Sequence, residues 1–127
     1  MQLTLKLRPW KGPRPEADLL GFAQEVAKNA REVFTRGMRG SHSGVHYPNL
    51  PNRSSAPGEF PATQSGRMLG SQYTEASETE VTHGTTAAHS VYMLGTSRMP
   101  RPRKMSREAL DEGLMSAEWR RHVFWRF

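Results

Sequence analysis

Residues 16–38 have the sequence EADLLGFAQEVAKNAREVFTRGM, the most periodic segment of the chain. Its apolar side chains recur at intervals of three and four residues, the spacing of one face of an α-helix; they are Leu19, Phe22, Ala23, Val26, Ala30, Val33 and Phe34. The pattern predicts an amphipathic helix about 30 Å long that can lie across a small sheet. Pro15 is predicted at the first helical position, and Gly37 and Gly40 are predicted to stop the helix.

Short β-strands are predicted on both sides of this helix. Near the amino end, Leu3, Leu5 and Leu7 alternate with polar residues, a period of two that indicates a strand with one buried face. Further along, residues 72–75 and 80–83 flank a polar joint, which is typical of a small antiparallel hairpin. Two strands alone are marginally stable, so we expect the long helix to pack on this sheet.

The last third of the chain carries a second helical pattern. Ser106 is predicted to cap a helix whose weaker apolar stripe, interrupted by Gly113, comprises Met105, Ala109, Leu110, Leu114 and Ala117. Residues 87–94 fit either a short helix or a third strand, and the helix is preferred because Gly95 would end it. Residues 1–127 are thus predicted to form a single α+β domain: an N-terminal strand, one long amphipathic helix packed on a small antiparallel sheet, and a C-terminal helix.

The composition of the 127-residue chain limits its possible functions. There is no cysteine, so disulfides and thiolate chemistry are excluded. The formal net charge of +6 allows nucleic acid, an acidic protein surface or an anionic membrane as a partner. No segment approaches the roughly 20 apolar residues that a membrane span needs. Apolar and polar residues alternate over positions 1–8, whereas a signal peptide has a continuous apolar segment. We therefore expect synthesis in the cytoplasm.

Residues 39–64 form a long segment rich in glycine, serine, proline and asparagine. A loop of this length in a compact domain is usually either functional or disordered. The loop contains three apolar residues, Tyr47, Leu50 and Phe60, which favour a partner-binding loop. We expect this loop to be mobile in a free subunit. The alternative is a disordered segment without a binding function. The aromatic and basic tail, residues 119–127, is expected to be buried against the domain or a neighbouring subunit.

No catalytic, metal or cofactor site is predicted. The five histidines are dispersed, and we expect solvated or locally hydrogen-bonded imidazoles. The chain lacks a Gly-x-Ser-x-Gly elbow and a phosphate-binding Gly-x-x-x-x-Gly-Lys-Ser/Thr loop, which disfavours a small hydrolase. Residues 98–104 are predicted to be extended because they contain two prolines; we call this segment the strap. Its Arg98, Arg101 and Arg103 side chains could bind nucleic acid, but we prefer acidic groups on another protein as their partners.

Two glycine-punctuated boxes flank the hairpin: SGRMLGS at 65–71 and AHSVYMLGTSRMP at 88–100. Together with the upstream loop NRSSAPGEFPA at 52–62, their order resembles the head–tail joining (neck or tail-completion) family of tailed bacteriophages, over roughly positions 16 to 115. In that family a Thr-Gly-Arg-Leu-like box precedes a hairpin, and a Tyr-Ala-x-Tyr-x-Glu-x-Gly-Thr-like box precedes a Pro-rich loop and a last helix. Here Ser65 stands where threonine is usual, and the second box lacks the customary acid before Gly95.

The resemblance implies a structural virion protein and not an enzyme: a subunit of a six-fold ring where phage head and tail join. Its partners would be identical subunits and neighbouring neck and tail proteins (adaptor, stopper or tail tube). DNA would pass through the lumen without sequence-specific binding, and neither a cofactor nor a membrane is implied. The protein would be made in the host cytoplasm and reside in the neck region of the virion.

The residues expected to make contacts in such an assembly lie in two segments. They are Tyr47, Leu50, Arg53 and Phe60 in the long loop, and Arg98, Arg101 and Arg103 in the strap. The alternative function is a basic nucleic-acid-binding accessory protein, favoured by the net charge.

Overall fold

A computed structural model of the protein describes residues 2–7, 16–87, 103–118 and 122–124. In chain order the elements are β1 (Gln2–Lys6), β2 (Glu16–Ala17), α1 (Leu19–Arg39), α2 (Arg67–Gly70), β3 (Gln72–Ala76), β4 (Glu80–Thr85), α3 (Ser106–Ser116) and β5 (Val123–Phe124). The predicted α+β fold is confirmed. The element expected at 87–94 falls, after its first residue, outside the described part of the chain, as do Arg98 and Arg101.

Helix α1 begins at Leu19, later than the sequence pattern predicts. Asp18 is its N-cap, and the Asp18 Oδ1 atom accepts the Gly21 N–H at 2.9 Å, which satisfies a backbone donor that the first turn leaves unpaired. Glu16 and Ala17, expected in the helix, form β2 instead and pair antiparallel with β5. Backbone pairing with a segment far along the chain therefore sets where the helix starts.

Gly37, predicted to stop α1, instead lies inside the helix. The helix continues to Arg39 and is followed by Gly40, whose N–H donates to the Arg36 carbonyl at 3.0 Å. A Cβ atom at Gly37 would lie 2.3 Å from Cδ2 of the Phe60 ring. The glycine is therefore required because a loop side chain packs directly on the helix backbone at this point.

A three-stranded antiparallel sheet, in the order β1-β4-β3, packs against α1. The predicted hairpin is confirmed, since β3 and β4 pair directly. Residues 81–85 of the central strand β4 are all buried, because a strand flanks each of its edges and both α1 and α3 contact it. On β1, Leu5 and Leu7 pack against the core, whereas Leu3 is exposed, so part of the predicted leucine face is covered.

Helix α3 packs against α1 more extensively than any other two elements pack together. The two helices are in close contact at Gly113, where a Cβ would lie 2.8 Å from the Ala30 nitrogen and 2.9 Å from the Val26 carbonyl oxygen. The Gly113 carbonyl also accepts a hydrogen bond from Asn29 Nδ2 at 3.4 Å. The residue that interrupts the apolar stripe of α3 is therefore the point where the two helices cross.

The two ends of α3 show that it runs antiparallel to α1. Its N-cap is the preceding methionine, and not Ser106 as predicted. Ser106 instead contacts His83, whose ring lies against Phe34 in the second half of α1. Beyond the last turn of α3, the Glu118 N–H donates to the Glu25 carboxylate at 3.3 Å, in the first half of α1.

A second, two-stranded sheet, formed by β2 and β5, joins the end of the described chain to the start of α1. The Asp18 N–H donates to the His122 carbonyl at 2.7 Å, and His122 Nε2 lies 2.8 Å from a Glu25 carboxylate oxygen. The His122 ring also meets Phe22, with ring centroids 5.9 Å apart. This part of the predicted tail thus packs on the domain; residues 119–121 and 125–127 lie outside the described chain.

Replacing Gly113 with alanine tests the helix crossing. In an exposed helix interior, glycine to alanine stabilises by about 1 kcal/mol, because glycine is a poor helix former. Here the new Cβ would push α1 and α3 apart, and we expect Gly113→Ala to lower the free energy of unfolding by about 1–3 kcal/mol. Urea melts measure the change. Glu112→Ala, at an exposed position of α3, is the control and should shift stability by less than about 0.5 kcal/mol. A stabilised Gly113→Ala protein would contradict the crossing.

Candidate interaction site on the central loop

The central loop, residues 41–64, is folded back on itself. The Gly44 N–H donates to the Ser54 carbonyl at 2.7 Å, and the Ser54 N–H donates to the Val45 carbonyl at 2.9 Å. A Cβ at Gly44 would lie 2.5 Å from the Ser54 carbonyl oxygen, so the two segments approach this closely because residue 44 is glycine. These bonds give the loop a defined shape within a single chain.

Glu59 ties the beginning of the loop to its end. Its carboxylate accepts the Ala56 N–H at 2.6 Å, the Ser43 N–H at 3.2 Å and the Ser43 hydroxyl at 3.1 Å. The backbone N–H groups of Ala56 and Ser43 lower the pKa of the Glu59 carboxyl, because they stabilise its charged form. The Glu59 carbonyl accepts the Lys104 N–H at 2.8 Å, which links the loop to the segment before α3.

The last residues of the loop attach it to the end of α1. Asn52 and Gln64 exchange hydrogen bonds: the Asn52 N–H donates to Gln64 Oε1 at 3.1 Å, and Gln64 Nε2 donates to the Asn52 carbonyl at 2.9 Å. The Thr63 N–H and hydroxyl both donate to the Met38 carbonyl, at 3.3 and 3.0 Å. This carbonyl belongs to the last turn of α1, where backbone acceptors lack helical partners.

Phe60, an expected contact residue, is buried in the hydrophobic core instead. Its ring meets Phe34 edge-on with centroids 5.8 Å apart and covers Gly37. The Lys104 ammonium lies 5.9 Å from the centroid of the Phe60 ring, within the range of a cation–π contact. Because this ring packs inside the domain, Phe60 anchors the loop and leaves little surface for a partner.

A groove of about 390 Å³ opens along the loop; we call it the loop groove. Val45, Tyr47 and Leu50 line it and are 60%, 53% and 38% exposed. Pro57, Pro61, Ala62 and Arg103 are among its other lining residues. Large apolar side chains exposed side by side around a concavity mark interaction sites on soluble proteins. The loop groove is therefore the candidate functional site.

Two of the expected arginines hold the walls of the loop groove. Arg103 donates from Nε to Ser55 Oγ at 2.9 Å and from Nη2 to the Ser55 carbonyl at 3.0 Å. Arg53 donates from Nη1 to the Gly44 carbonyl at 2.9 Å. Replacing Arg103 would therefore disturb the loop as well as any contact that it makes. The structure thus brings together, in or beside one groove, four of the expected contact residues: Tyr47, Leu50, Arg53 and Arg103.

The sequence patterns give no role to Val45 and Met115, which are among the exposed apolar residues. Val45 lies in the loop groove, and the signal for it was an aliphatic residue among glycine, serine and histidine. Met115 is 87% exposed in the last turn of α3. Its signal was an apolar residue that does not belong to the helix stripe facing the core.

A buried chain of polar groups crosses the core from α3 to α1. Ser106 Oγ lies 2.7 Å from His83 Nδ1, and His83 Nε2 lies 3.0 Å from Gln72 Oε1. Gln72 Nε2 donates to Thr35 Oγ1 at 2.7 Å. Because the Gln72 amide oxygen can accept but not donate, His83 carries its proton on Nε2, and Nδ1 accepts from the Ser106 hydroxyl.

The Ser106–His83 pair resembles a nucleophile with its base but is not placed for catalysis. Both side chains are buried, so a substrate cannot reach the Ser106 hydroxyl. The other imidazole nitrogen meets an amide oxygen of Gln72, where a serine hydrolase has a carboxylate. The pair instead satisfies polar groups inside a core. His83 thus differs from the solvated or locally bonded histidine that the sequence suggested.

Burial lowers the pKa of His83 to about 4, and the positive charge of Arg31 lowers it in the same direction. Between about pH 6.5 and 4 the unfolded chain binds a proton at this imidazole and the folded chain does not. The free energy of unfolding is therefore expected to fall as the pH falls through this window, by at most about 3 kcal/mol.

Urea melts at a series of pH values measure this dependence. His83→Gln removes the titrating group and keeps hydrogen-bonding atoms, so its free energy of unfolding should lose this part of the slope, whatever its absolute stability. The carboxylates titrate in both proteins and cancel in the comparison. Equal slopes in the two proteins would exclude His83 as the source.

Within the described ranges, no group of three or more histidine or acidic side chains is placed to hold a metal ion. In the same residues no helix has the length and apolar character needed to cross a membrane. In comparisons with known proteins, no family model, no curated protein and no solved structure matches this chain.

Proposed function

We propose that the protein is a structural subunit of a ring at the head–tail junction of a tailed bacteriophage, assembled by contact between the loop groove of one subunit and α3 of the next. The proposal is based on two exposed apolar surfaces, the loop groove and the Met115 side chain, which lie at opposite ends of α3. Arg103 of the loop groove lies just before α3 begins, and Met115 lies in its last turn. From Ser106 to Met115 the helix rises about 14 Å, so Met115 does not fill the groove of its own subunit.

A contact between two different patches of identical chains is heterologous. Each subunit then offers its groove to one neighbour and Met115 to another, and such contacts close into a ring when the rotation between subunits closes. The assignment to the phage neck rests on the resemblance carried by the two glycine boxes and the loop before them. The neighbouring neck and tail proteins would contact the ring, and no catalytic role is proposed.

The chemistry of the loop groove suits a methionine side chain. Methionine is unbranched and flexible, fills irregular apolar surfaces, and makes favourable contacts with aromatic rings such as that of Tyr47. Val45 and Leu50 supply adjacent aliphatic surface. The hydrogen bonds within the loop hold this surface in place before contact, which lowers the conformational entropy lost on association.

Single cysteines test the contact directly, because the natural chain has none. Proteins carrying Met115→Cys and Leu50→Cys are prepared separately and mixed with a short bismaleimide crosslinker. We expect covalent dimers in the mixture and not with either protein alone. Glu75→Cys, at an exposed position of β3, replaces Leu50→Cys in the control and should give none. Crosslinking of Met115→Cys to itself, or equally to the control, would contradict the heterologous contact.

Removing the apolar end of Met115 tests assembly. Met115→Gln adds no charge and lies at an exposed position, so the free energy of unfolding should change by less than about 0.5 kcal/mol. Light scattering should nevertheless show that the ring, expected to contain six subunits of 14.4 kDa, dissociates toward single chains. In phage complementation, micrographs should show unjoined heads and tails. Glu112→Gln, nearby on α3, is the control. Rings and joined particles that survive Met115→Gln would refute the proposed contact.

A further inference from the structure

A positively charged surface lies along the second half of α1 and continues onto the central loop. An open groove of about 620 Å³ is lined by Arg31, Thr35, Arg36 and Arg39. A second groove, of about 590 Å³, is lined by Arg39, His42, Asn52 and Arg53. Because Arg39 belongs to both, the grooves form one continuous surface. We call the four arginines, Arg31, Arg36, Arg39 and Arg53, the basic face.

Most N–H donors of the basic face are unused within the described chain. Arg31 and Arg53 each donate from Nη1 to a backbone carbonyl, at 3.3 and 2.9 Å. Arg36 and Arg39 have no hydrogen-bond or ion-pair partner among the described residues. Glu32 is the one carboxylate among the described side chains that line the two grooves. The surface therefore presents several guanidinium groups with free donors and one opposing charge.

The position of Arg36 and Arg39 in the last turn of α1 has a local explanation as well. Positive charge near a helix C-terminus interacts favourably with the helix dipole. That interaction acts through space and does not occupy the guanidinium N–H groups. It therefore leaves their donors available to a ligand.

We propose that the basic face binds the phosphodiester backbone of nucleic acid without reading its sequence. A guanidinium group matches phosphate with a planar fork of donors. From Arg31 to Arg39 the helix rises about 12 Å, equal to about three to four nucleotides of one duplex strand at about 3.4 Å each. Arginines spread over that length contact successive phosphates. Phosphate contacts of this kind fix position and carry no sequence information.

An acidic protein surface is the competing partner, and the described residues favour nucleic acid. Stable protein interfaces have an apolar centre with charged groups at the rim. The side chains exposed along the basic face are arginines with polar neighbours, and Met38, which also lines the second groove, is buried. Val45, Tyr47 and Leu50, the exposed apolar side chains of the central loop, line the loop groove and neither of the two basic grooves.

This inference does not rest on the ring. Each single chain carries the whole basic face, so DNA binding can be measured on a variant that fails to assemble, such as Met115→Gln. Loss of assembly and loss of DNA binding are therefore separate observations. Their outcomes test the proposed function and this inference independently.

The experiment compares double variants of equal charge. Arg36→Gln with Arg39→Gln removes two charges from the basic face. As the control, Lys6→Gln with Arg107→Gln removes two exposed charges from β1 and α3. Lys6 lies away from the basic face, because β1 and β3 are opposite edges of the sheet and Arg31 is hydrogen-bonded to β3. Duplex DNA of two unrelated sequences is titrated between about 50 and 200 mM salt, the range in which phosphate contacts weaken steeply.

We expect the affinity of the Arg36/Arg39 variant for both DNA sequences to fall at least about tenfold at the lower salt concentration. The slope of log affinity against log salt should become shallower by about 2, close to 0.9 for each lost phosphate contact. The Lys6/Arg107 variant should keep the slope of the natural protein, and so should Arg36→Lys with Arg39→Lys, which retains both charges. Circular dichroism confirms that all variants are folded.

Three outcomes would overturn the inference. Equal loss of affinity in the Arg36/Arg39 and Lys6/Arg107 variants would mean that net charge, and not this face, drives binding. An unchanged salt slope in the Arg36/Arg39 variant would mean that these arginines do not contact phosphate. If the Arg36/Arg39 substitutions weaken binding of a polyglutamate peptide and do not weaken DNA binding, the partner of the basic face is an acidic protein.

Discussion

Phe34 contacts the central loop and the sheet at the same time. Its ring lies edge-on to Phe60 of the loop and 4.8 Å, centroid to centroid, from the buried ring of His83 in β4. A small domain has little apolar surface to bury, and here a loop residue supplies part of what a further helix or strand would supply in a larger protein. Since His83 is also joined through Gln72 to Thr35 of α1, the aromatic contact and the polar chain fix the same elements. A fully satisfied polar chain inside a core specifies one arrangement of those elements.

The sequence predicts the elements well wherever a regular spacing of apolar residues determines them. The stripe of α1 and the β3–β4 hairpin follow from side chains close together in the chain. The start of α1 does not, because Glu16 and Ala17 pair with β5, more than a hundred residues away. Gly37 and Gly113 carry the same ambiguity: a glycine is equally a helix stop and a place for close packing. Only the partner across the contact, Phe60 or the backbone of α1, decides between them.

The candidate site is predictable to a similar extent and for a similar reason. Tyr47, Leu50 and Phe60 give the same signal, an apolar residue in a polar loop. The first two are exposed in the loop groove and the third fills the core, and nothing local to Phe60 distinguishes it. The composition of the loop does not reveal the hydrogen bonds that Glu59 and Asn52 make with loop residues 16 and 11 positions away. Met115 was missed because a single apolar residue on a helix surface is common and gains meaning from the groove at the other end of the helix.

The loop groove and the basic face are connected by one hydrogen bond, between Arg53 and Gly44. Arg53 lines the basic groove, and its Nη1 donates to the carbonyl of Gly44, which lines the loop groove. Gly44 in turn holds Ser54 across the fold of the loop. A side chain bound in the loop groove would contact a segment that Arg53 supports, and a phosphate on the basic face would bind the same guanidinium. Because one guanidinium offers five donors in a fixed plane, it can keep the Gly44 bond and still bind phosphate, provided that the ligand approaches from the basic face. If both proposed ligands bind, each would leave the Arg53–Gly44 contact in its observed geometry, and the two would not oppose one another.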